Sequence, residues 1–310
     1  MQEYTHSQGA GFLFTVPCGK YTLYPEHAPD YVTVAQPGNR ELLATALAEQ
    51  GVNYVNLYDV FTASDEELYW HWDSHWHSRG AALAADAILA AAGQDTDYFS
   101  GPFTPVWDHT GDLYEMLYPT GTALEADYSW DPGFTFSYLS DFRSVDDPTI
   151  ETENPGADGS LLMFRDSSGR SLYPYMAQSF GRAYFSRANN YRIDYVNQQN
   201  ANLVVVELAE RTLDYLLQYP AVFPAPMREA SLLEGAEPVV GELTWDEPDK
   251  TMEGYVKLTG ALPAGLAEDA AVYVEVGGTV YEAIPGPEAF TAYLPAGAET
   301  GGIRVYARAQ

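Results

Sequence analysis

The chain has 310 residues, 44 acidic against 15 basic side chains and a net charge of −29, long enough for one large or two modest domains. That acidity excludes nucleic acid as a partner and disfavours anionic membrane, since both need clustered Lys and Arg. A composition 46% hydrophobic and 14% aromatic excludes disorder, a single cysteine, Cys18, excludes an intrachain disulfide or multi-cysteine zinc site, and no apolar run is long enough to insert in a membrane.

In chain order, Met1 to His6 has neither the basic nor the apolar stretch of a signal peptide. Gly11 to Val16 reads as a buried strand stopped by Pro17. Arg40 to Gln50 carries Leu42, Leu43, Ala46 and Leu47 at helical spacing, and a strand is expected over Val52 to Leu57. Ser78 to Ala92 is a second helix with Leu83, Ala84, Ala87, Ile88 and Ala91 as its stripe, Ser78 as its cap and Gly93 at its end. Residues 94–159, rich in Asp, Gly, Pro, Tyr and Trp, read as a long surface excursion. Then follow a strand (Leu161 to Phe164), a helix (Leu172 to Phe180) and strands at Arg182 to Phe185 and Leu203 to Glu207. Such alternation argues a mostly parallel α/β sheet.

Tyr219 to Pro226 is a proline-punctuated linker, so the division falls into residues 1–220 and 227–310. After it every element reads as a strand: Glu253 to Thr259, Ala271 to Val276, Thr279 to Ile284, Ala289 to Leu294 and Gly302 to Ala307. Gly277-Gly278 marks a tight hairpin, and the whole reads as a small antiparallel β-sandwich.

The densest chemical cluster is Trp70-His71-Trp72-Asp73-Ser74-His75-Trp76-His77. If extended, it turns His71, Asp73, His75 and His77 to one side and the tryptophans to the other. Three readings stand: an aromatic segment packed at a loop, the Asp and His of a hydrolase triad, or a metal-binding face. The second cluster is Asp166-Ser167-Ser168-Gly169, between a buried strand and a helix. It is either a plain turn or a nucleophile site, where backbone N–H groups at a helix start can receive an oxyanion.

Together the two clusters resemble a known family. Asp73-Ser74-His75-Trp76, before a helix opened by Gly80-Ala81, looks like the signature of the SGNH-hydrolase-like family that includes the bacterial alginate O-acetyltransferases, closest to the branch named for a DHHW motif. Val16-Pro17-Cys18-Gly19-Lys20 with Tyr24-Pro25-Glu26 is similar to its early segment. Arg165 to Gly169 followed by Tyr173-Pro174-Tyr175-Met176 resembles its nucleophile block, and Val206 to Leu213 its strand with Glu-Arg-x-Leu. The resemblance spans residues 11–217 and leaves the β-sandwich outside it.

It implies a flavodoxin-like three-layer α/β/α domain, followed here by the small antiparallel β-sandwich, with the permuted order Asp-x-His before Ser. Transferred residue by residue, Ser167 is the nucleophile, His75 the base and Asp73 its orienting acid, in an O-acyl esterase or O-acetyltransferase acting on exported or cell-surface carbohydrate. The alternative is a non-catalytic carbohydrate-binding protein with a degenerate domain. Arg211 and Arg182 are the candidate oxyanion donors, each also readable as an ion pair. Trp107 and Trp130 are candidates for a sugar platform or simply core. No cofactor or metal is expected, the partner is an acylated carbohydrate, the oligomeric state is a monomer, and the location is extracytoplasmic. The sequence departs from the family at Ser74, where His is usual, and at Ser168, where Phe is common; it also lacks a clear oxyanion Asn near Val206.

Overall fold

A computed structural model describes every residue except 34, 36, 240, 247–251, 263–269, 287 and 310. The apolar runs become strands with no polar face, as parallel strands covered on both sides require. In β1 (Gly11–Thr15), Phe12, Leu13, Phe14 and Thr15 are all buried; in β7 (Ser160–Phe164) and β9 (Leu203–Glu207) the burial is equally continuous. With β2 (Tyr54–Val55), β5 (Ser137–Tyr138), β6 (Thr149–Glu153) and β8 (Arg182–Ser186) they form a seven-stranded sheet of order β2-β1-β9-β7-β8-β6-β5. Its first five strands are parallel, with Leu13 opposite Val205 and Met163 opposite the same residue on the other side. β6 and β5 close one edge antiparallel.

Leu13, Leu161, Met163, Leu203 and Val205 pack in one core with residues of α4 (Leu57–Thr62), α5 (Ser78–Ala91) and α7 (Gly169–Ser179). The residues between them in each strand, such as Phe12, Leu162 and Val204, are buried on the other face, where α1 (Gln2–Ser7) lies against β1. Two more helices, α2 (Lys20–Leu23) and α3 (Asn39–Glu49), follow β1. The loops at the carboxyl ends of the adjacent strands β1, β9 and β7 therefore open side by side, where open α/β sheets bind ligands.

Several expectations change. The helix expected from residue 40 forms as α3 but buries none of its residues, and Leu42 is exposed. The strand expected over Val52 to Leu57 is only two residues long, because Leu57 already starts α4. α5 is capped by the ring of His77, which accepts the Gly80 N–H, so Ser78 is its first residue rather than its cap. Its fully buried stripe runs through Ala81, Ala84, Ala85 and Ile88.

The stretch 94–159 is more than a surface excursion. It holds a hairpin of β3 (Thr104–His109) and β4 (Glu125–Ser129) with α6 (Asp112–Leu117) between them. It ends by supplying β5 and β6 to the main sheet, where Ile150 and Thr152 are fully buried.

Residues 2–188 and 196–213 make one compact unit; residues 189–195 and 214–310, with residue 1, make the other. The second unit is an antiparallel sheet of β10 (Met227–Arg228), β11 (Leu243–Trp245), β12 (Tyr255–Ala261), β13 (Ala270–Val276), β14 (Thr279–Pro285), β15 (Ala289–Pro295) and β16 (Ile303–Ala309). β14 changes partners along its length: Thr279–Ala283 pair with β13, while Ile284 and Pro285 pair with β15. Residues of both halves, Leu258, Val274, Phe290 and Leu294 among them, share one core, which makes the unit a small sandwich. Gly277 and Gly278, at φ +58° and +84°, supply the left-handed pair that a two-residue hairpin turn demands.

Candidate active site

The loop of Ser167, the candidate nucleophile, hangs on the end of β7. Asp166 folds back so that its carboxylate accepts the N–H of Ser168 at 2.7 Å and that of Ala209, just past β9, at 2.9 Å. The Asp166 N–H donates in turn to Glu207 Oε2 at 3.0 Å, and Arg165 N–H to the carbonyl of Ser186 at the end of β8. Burial in the sheet, with the Asp166 carboxylate beside it, pushes the Glu207 carboxyl well above the usual carboxylate range. The Ser167 loop is thus tied to the ends of three neighbouring strands, by one backbone bond and by the carboxylates of Asp166 and Glu207. Among the hydrogen bonds of the described residues its own N–H has no acceptor.

The opposing arm is not extended. Residues 70–76 turn back on themselves, closed by a single bridge between Tyr69 and Trp76. Instead of two clean faces, Asp73, Trp76 and His77 are buried while His71 and Trp72 are exposed. Asp73 Oδ1 accepts the His75 N–H at 2.9 Å and its Nδ1–H at 2.7 Å. That tautomer leaves Nε2 to accept the Ser167 hydroxyl, 2.7 Å away across 92 residues of chain. Ser167, His75 and Asp73 therefore form one continuous hydrogen-bonded line.

Trp76 couples the two arms. Its fully buried indole donates from Nε1 to the Ser168 carbonyl at 3.0 Å and approaches Ser171 Oγ at 3.2 Å. The residue after the histidine of the Asp-x-His-Trp motif thus fixes the histidine's segment to the Ser167 loop.

Arg211 stands over the same point, with Nη2 3.2 Å from Ser167 Oγ and 3.5 Å from His75 Nε2. It makes no ion pair among the described residues, so its charge faces the serine. Its neighbour Glu210 is spent on structure, accepting the Gly19 N–H at 2.7 Å and the Thr22 hydroxyl at 3.0 Å.

Arg182 is excluded as an oxyanion donor. It opens β8 opposite Ser160, at the amino end of the parallel strands, and about 13 Å of strand separates it from the edge where Ser167 lies. Trp107 and Trp130 are not one platform: Trp107, 69% exposed, lines a hollow with Trp70, Glu125 and Tyr128. Trp130 packs edge-on against Phe103 and lines another hollow with Asp108 and Tyr175.

The metal face proposed from alternation does not assemble. His77 donates from Nε2 to the Glu67 carbonyl at 2.7 Å and caps α5, while His71 pairs with Glu67 at the surface. Asp73, His75 and Asp112 are the one trio of described residues with potential ligand atoms within 4.8 Å of one another. Each is already bonded, Asp112 to the N–H and hydroxyl of Ser74 at 2.8 and 2.5 Å. Cys18 offers no second nucleophile, because burial pushes its thiol up to about 12.

Sequence reasoning missed the groups that shape the His75 loop. Lys20 Nζ donates to the carbonyls of His71 and Asp73. Glu125 accepts the N–H groups of His71 and Trp72 at 2.6 and 2.8 Å, and Asp127 accepts the N–H and hydroxyl of Ser78. Gly111 lies so close that a Cβ there would stand 2.1 Å from the Trp72 carbonyl oxygen. His109 donates to Asp73 Oδ2 at 2.9 Å, beside the Asp112 N–H at 3.1 Å. The carboxylate of Asp73 is buried, which opposes ionisation, yet these donors from His109, His75 and the backbone hold it well below the usual carboxylate range.

Comparison with known proteins agrees with this architecture. Residues 2–129, which include Lys20, Asp73, His75 and His109 but stop short of Ser167 and Arg211, match the family model of the SGNH hydrolase-like domain of the acetyltransferase AlgX. No curated protein matches the chain in sequence. Bacillus cereus PatB1 is similar in structure with a TM-score of 0.54 at 17% identity, covering 68% of this chain and 86% of PatB1; PatB1 with a sulfonyl adduct gives 0.52 over similar coverage. A DHHW family protein from Eubacterium siraeum gives 0.55 at 16% identity, covering 72% of this chain and 88% of the other. The family match covers residues 2–129, and beyond it the likeness to PatB1 and to the DHHW family protein is one of fold.

Proposed function

We propose that the first unit is a serine-dependent O-acyl transfer enzyme, an acetyl esterase or O-acetyltransferase, with Ser167 as nucleophile, His75 as base and then acid, and Asp73 as the group that orients and stabilises the His75 ring. The observation that carries this reading is the unbroken line from Ser167 Oγ through His75 to Asp73, with both hydrogen bonds at 2.7 Å. Ser167 Oγ attacks the ester carbonyl as its proton passes to His75 Nε2. The imidazolium so formed is stabilised by Asp73. The carbonyl oxygen, now an anion, takes the free Ser167 N–H and the Arg211 guanidinium, the only two of the candidate donors that lie at the serine. Collapse expels the alcohol, protonated by His75, and leaves an acyl-serine. Water or a second hydroxyl then takes the acyl group by the same steps in reverse.

Carbohydrate is the proposed substrate class, on the family resemblance and on the aromatic side chains of Trp70, Trp107 and Tyr128 that line one hollow. A neutral or weakly charged sugar suits a chain of net charge −29 better than a polyuronate, which its field repels. The location that goes with such a substrate is extracytoplasmic. No helix among the described residues is long and apolar enough to cross a membrane. The sandwich of the second unit is read as an accessory domain.

Hydrolysis of p-nitrophenyl acetate tests the reading. The wild-type protein is expected to turn it over in the presence of EDTA, and Ser167→Ala to lose about ten-thousandfold in kcat. Activity that survives Ser167→Ala but not chelation would move the chemistry to a metal. Inactivity towards acetyl esters and acetylated glycans would favour a carbohydrate-binding protein.

A further inference from the structure

The Asp73 carboxylate serves two imidazoles. One oxygen takes His75 Nδ1–H at 2.7 Å; the other takes His109 Nε2–H at 2.9 Å. An orienting acid needs one histidine partner, and the second here is held as firmly as the first. Its ring stacks on Trp70 with centroids 3.7 Å apart and planes 10° from parallel. It arrives from the end of β3, where the register with β4 slips between Trp107 and His109 and re-aims the side chain. The Asp73 side chain is 5% exposed and that of His109 24%, so His109 exchanges protons with solvent while Asp73 stays sheltered.

On the reading of the site given above, we propose that His109 is a positioning residue that fixes the Asp73 carboxylate towards His75 when neutral and weakens the triad when protonated. A neutral His109 spends one N–H on Asp73 and leaves its negative charge to stabilise the His75 imidazolium. A protonated His109 forms an ion pair with the same carboxylate. Asp73 then has less charge to offer, His75 becomes a poorer base, and Ser167 is less readily deprotonated. The two rings meet through one carboxylate.

The surroundings favour this use. Around His109 stand Asp73 and His75 on the turn, Glu125 and Asp127 on the paired strand, and Asp112 at the start of α6. Lys20 holds the Asp73 carbonyl, and His77 lies beyond Trp70 with its ring 6.3 Å away. Partial burial opposes protonation of His109, but the hydrogen bond and charge of Asp73, with Asp127 and Glu125 behind it, raise its pKa above the ordinary histidine value. The sign follows: His109 is charged up to a pH above that value, so the acid loss of activity extends towards neutrality.

The pH profile of kcat/KM for p-nitrophenyl acetate, with Ser167→Ala as the blank, tests this. The wild-type acid limb is expected to be steeper than loss of one proton gives, with a slope on logarithmic axes above one where His109 titrates. His109→Ala, which leaves Asp73 Oδ2 with the Asp112 N–H alone, should lower kcat about tenfold with little change in KM. His109→Gln, whose amide donates from the same place without titrating, should recover most of that loss and show an acid limb of slope one. A His109→Gln profile that superimposes on a serine-dependent wild-type profile would overturn this proposal alone. Hydrolysis unaffected by Ser167→Ala would overturn the triad and this proposal with it. Imidazole NMR of the wild-type protein gives a second readout that requires no variant: the His109 ring resonances should titrate above the ordinary histidine range and over the same pH as the acid limb, and a His109 ring that titrates below it would contradict the proposal.

Discussion

The two arms of the site rest on different parts of the fold. Ser167 stands on the main sheet: it follows a fully buried parallel strand, and its loop is tied to the ends of β8 and β9 by the Ser186 carbonyl and by the carboxylates of Asp166 and Glu207. His75 stands off the sheet. Its turn has one isolated bridge of its own, takes the N–H groups of Leu113 and Tyr114 on the Trp72 carbonyl, and is shaped by Lys20, Glu125, Asp112 and His109, none of them on the main sheet. A loop that leaves a buried strand, with neighbouring strand ends beside it, tolerates the loss of one supporting side chain better than a turn with no strand of its own. Trp76 ties the two arms together in the core, and Arg211 meets both at Ser167.

Substitutions in the two arms can break this contrast. The largest effect is expected at the bridge. Trp76→Phe keeps the ring in the core but takes the indole N–H away from the buried Ser168 carbonyl, and should cost about 1 kcal/mol in chemical denaturation with a loss of about tenfold in kcat. Unchanged kcat at reduced stability would mean that the two arms find each other without it. Next comes Lys20→Met, which removes both donors to the carbonyls of His71 and Asp73. A fall of about fivefold in kcat with KM little altered is expected, read in the same ester assay. The smallest effect belongs to Glu207→Gln. Glu207 is fully buried, which pushes its carboxyl well above the usual carboxylate range, and the amide still accepts the Asp166 N–H through its oxygen. Activity should change by less than about twofold. A greater loss here than at Lys20 would reverse the comparison.

The same division decides what could be read from the chain. Apolar runs at Gly11 to Thr15, Leu161 to Phe164 and Leu203 to Glu207 announce buried parallel strands, because strands covered on both faces leave no polar alternation. Asp-Ser-Ser-Gly at the end of one of them is legible as a nucleophile position for the same reason. The turn at residues 70–77 carries no period. Its alternating polar and aromatic letters suggest a strand, yet its shape is set by Glu125, Asp112 and His109, which lie 36 to 54 residues further on. In the sequence His109 stands 34 residues beyond His75, with no motif spacing to join it to Asp73. Arg211 and Arg182 look alike on paper; the strand order separates them, since one follows the carboxyl end of β9 and the other opens β8.

The central claim is that His75 makes Ser167 a nucleophile, and covalent labelling tests it most directly. The wild-type protein is treated with phenylmethylsulfonyl fluoride, its intact mass measured and the adduct mapped by peptide sequencing, beside His75→Ala under the same conditions. The account predicts one sulfonyl group on Ser167, with loss of esterase activity in step with labelling, and slow or absent labelling in His75→Ala. A wild-type protein that stays unlabelled, or carries its adduct on another residue while hydrolysing esters, would contradict it.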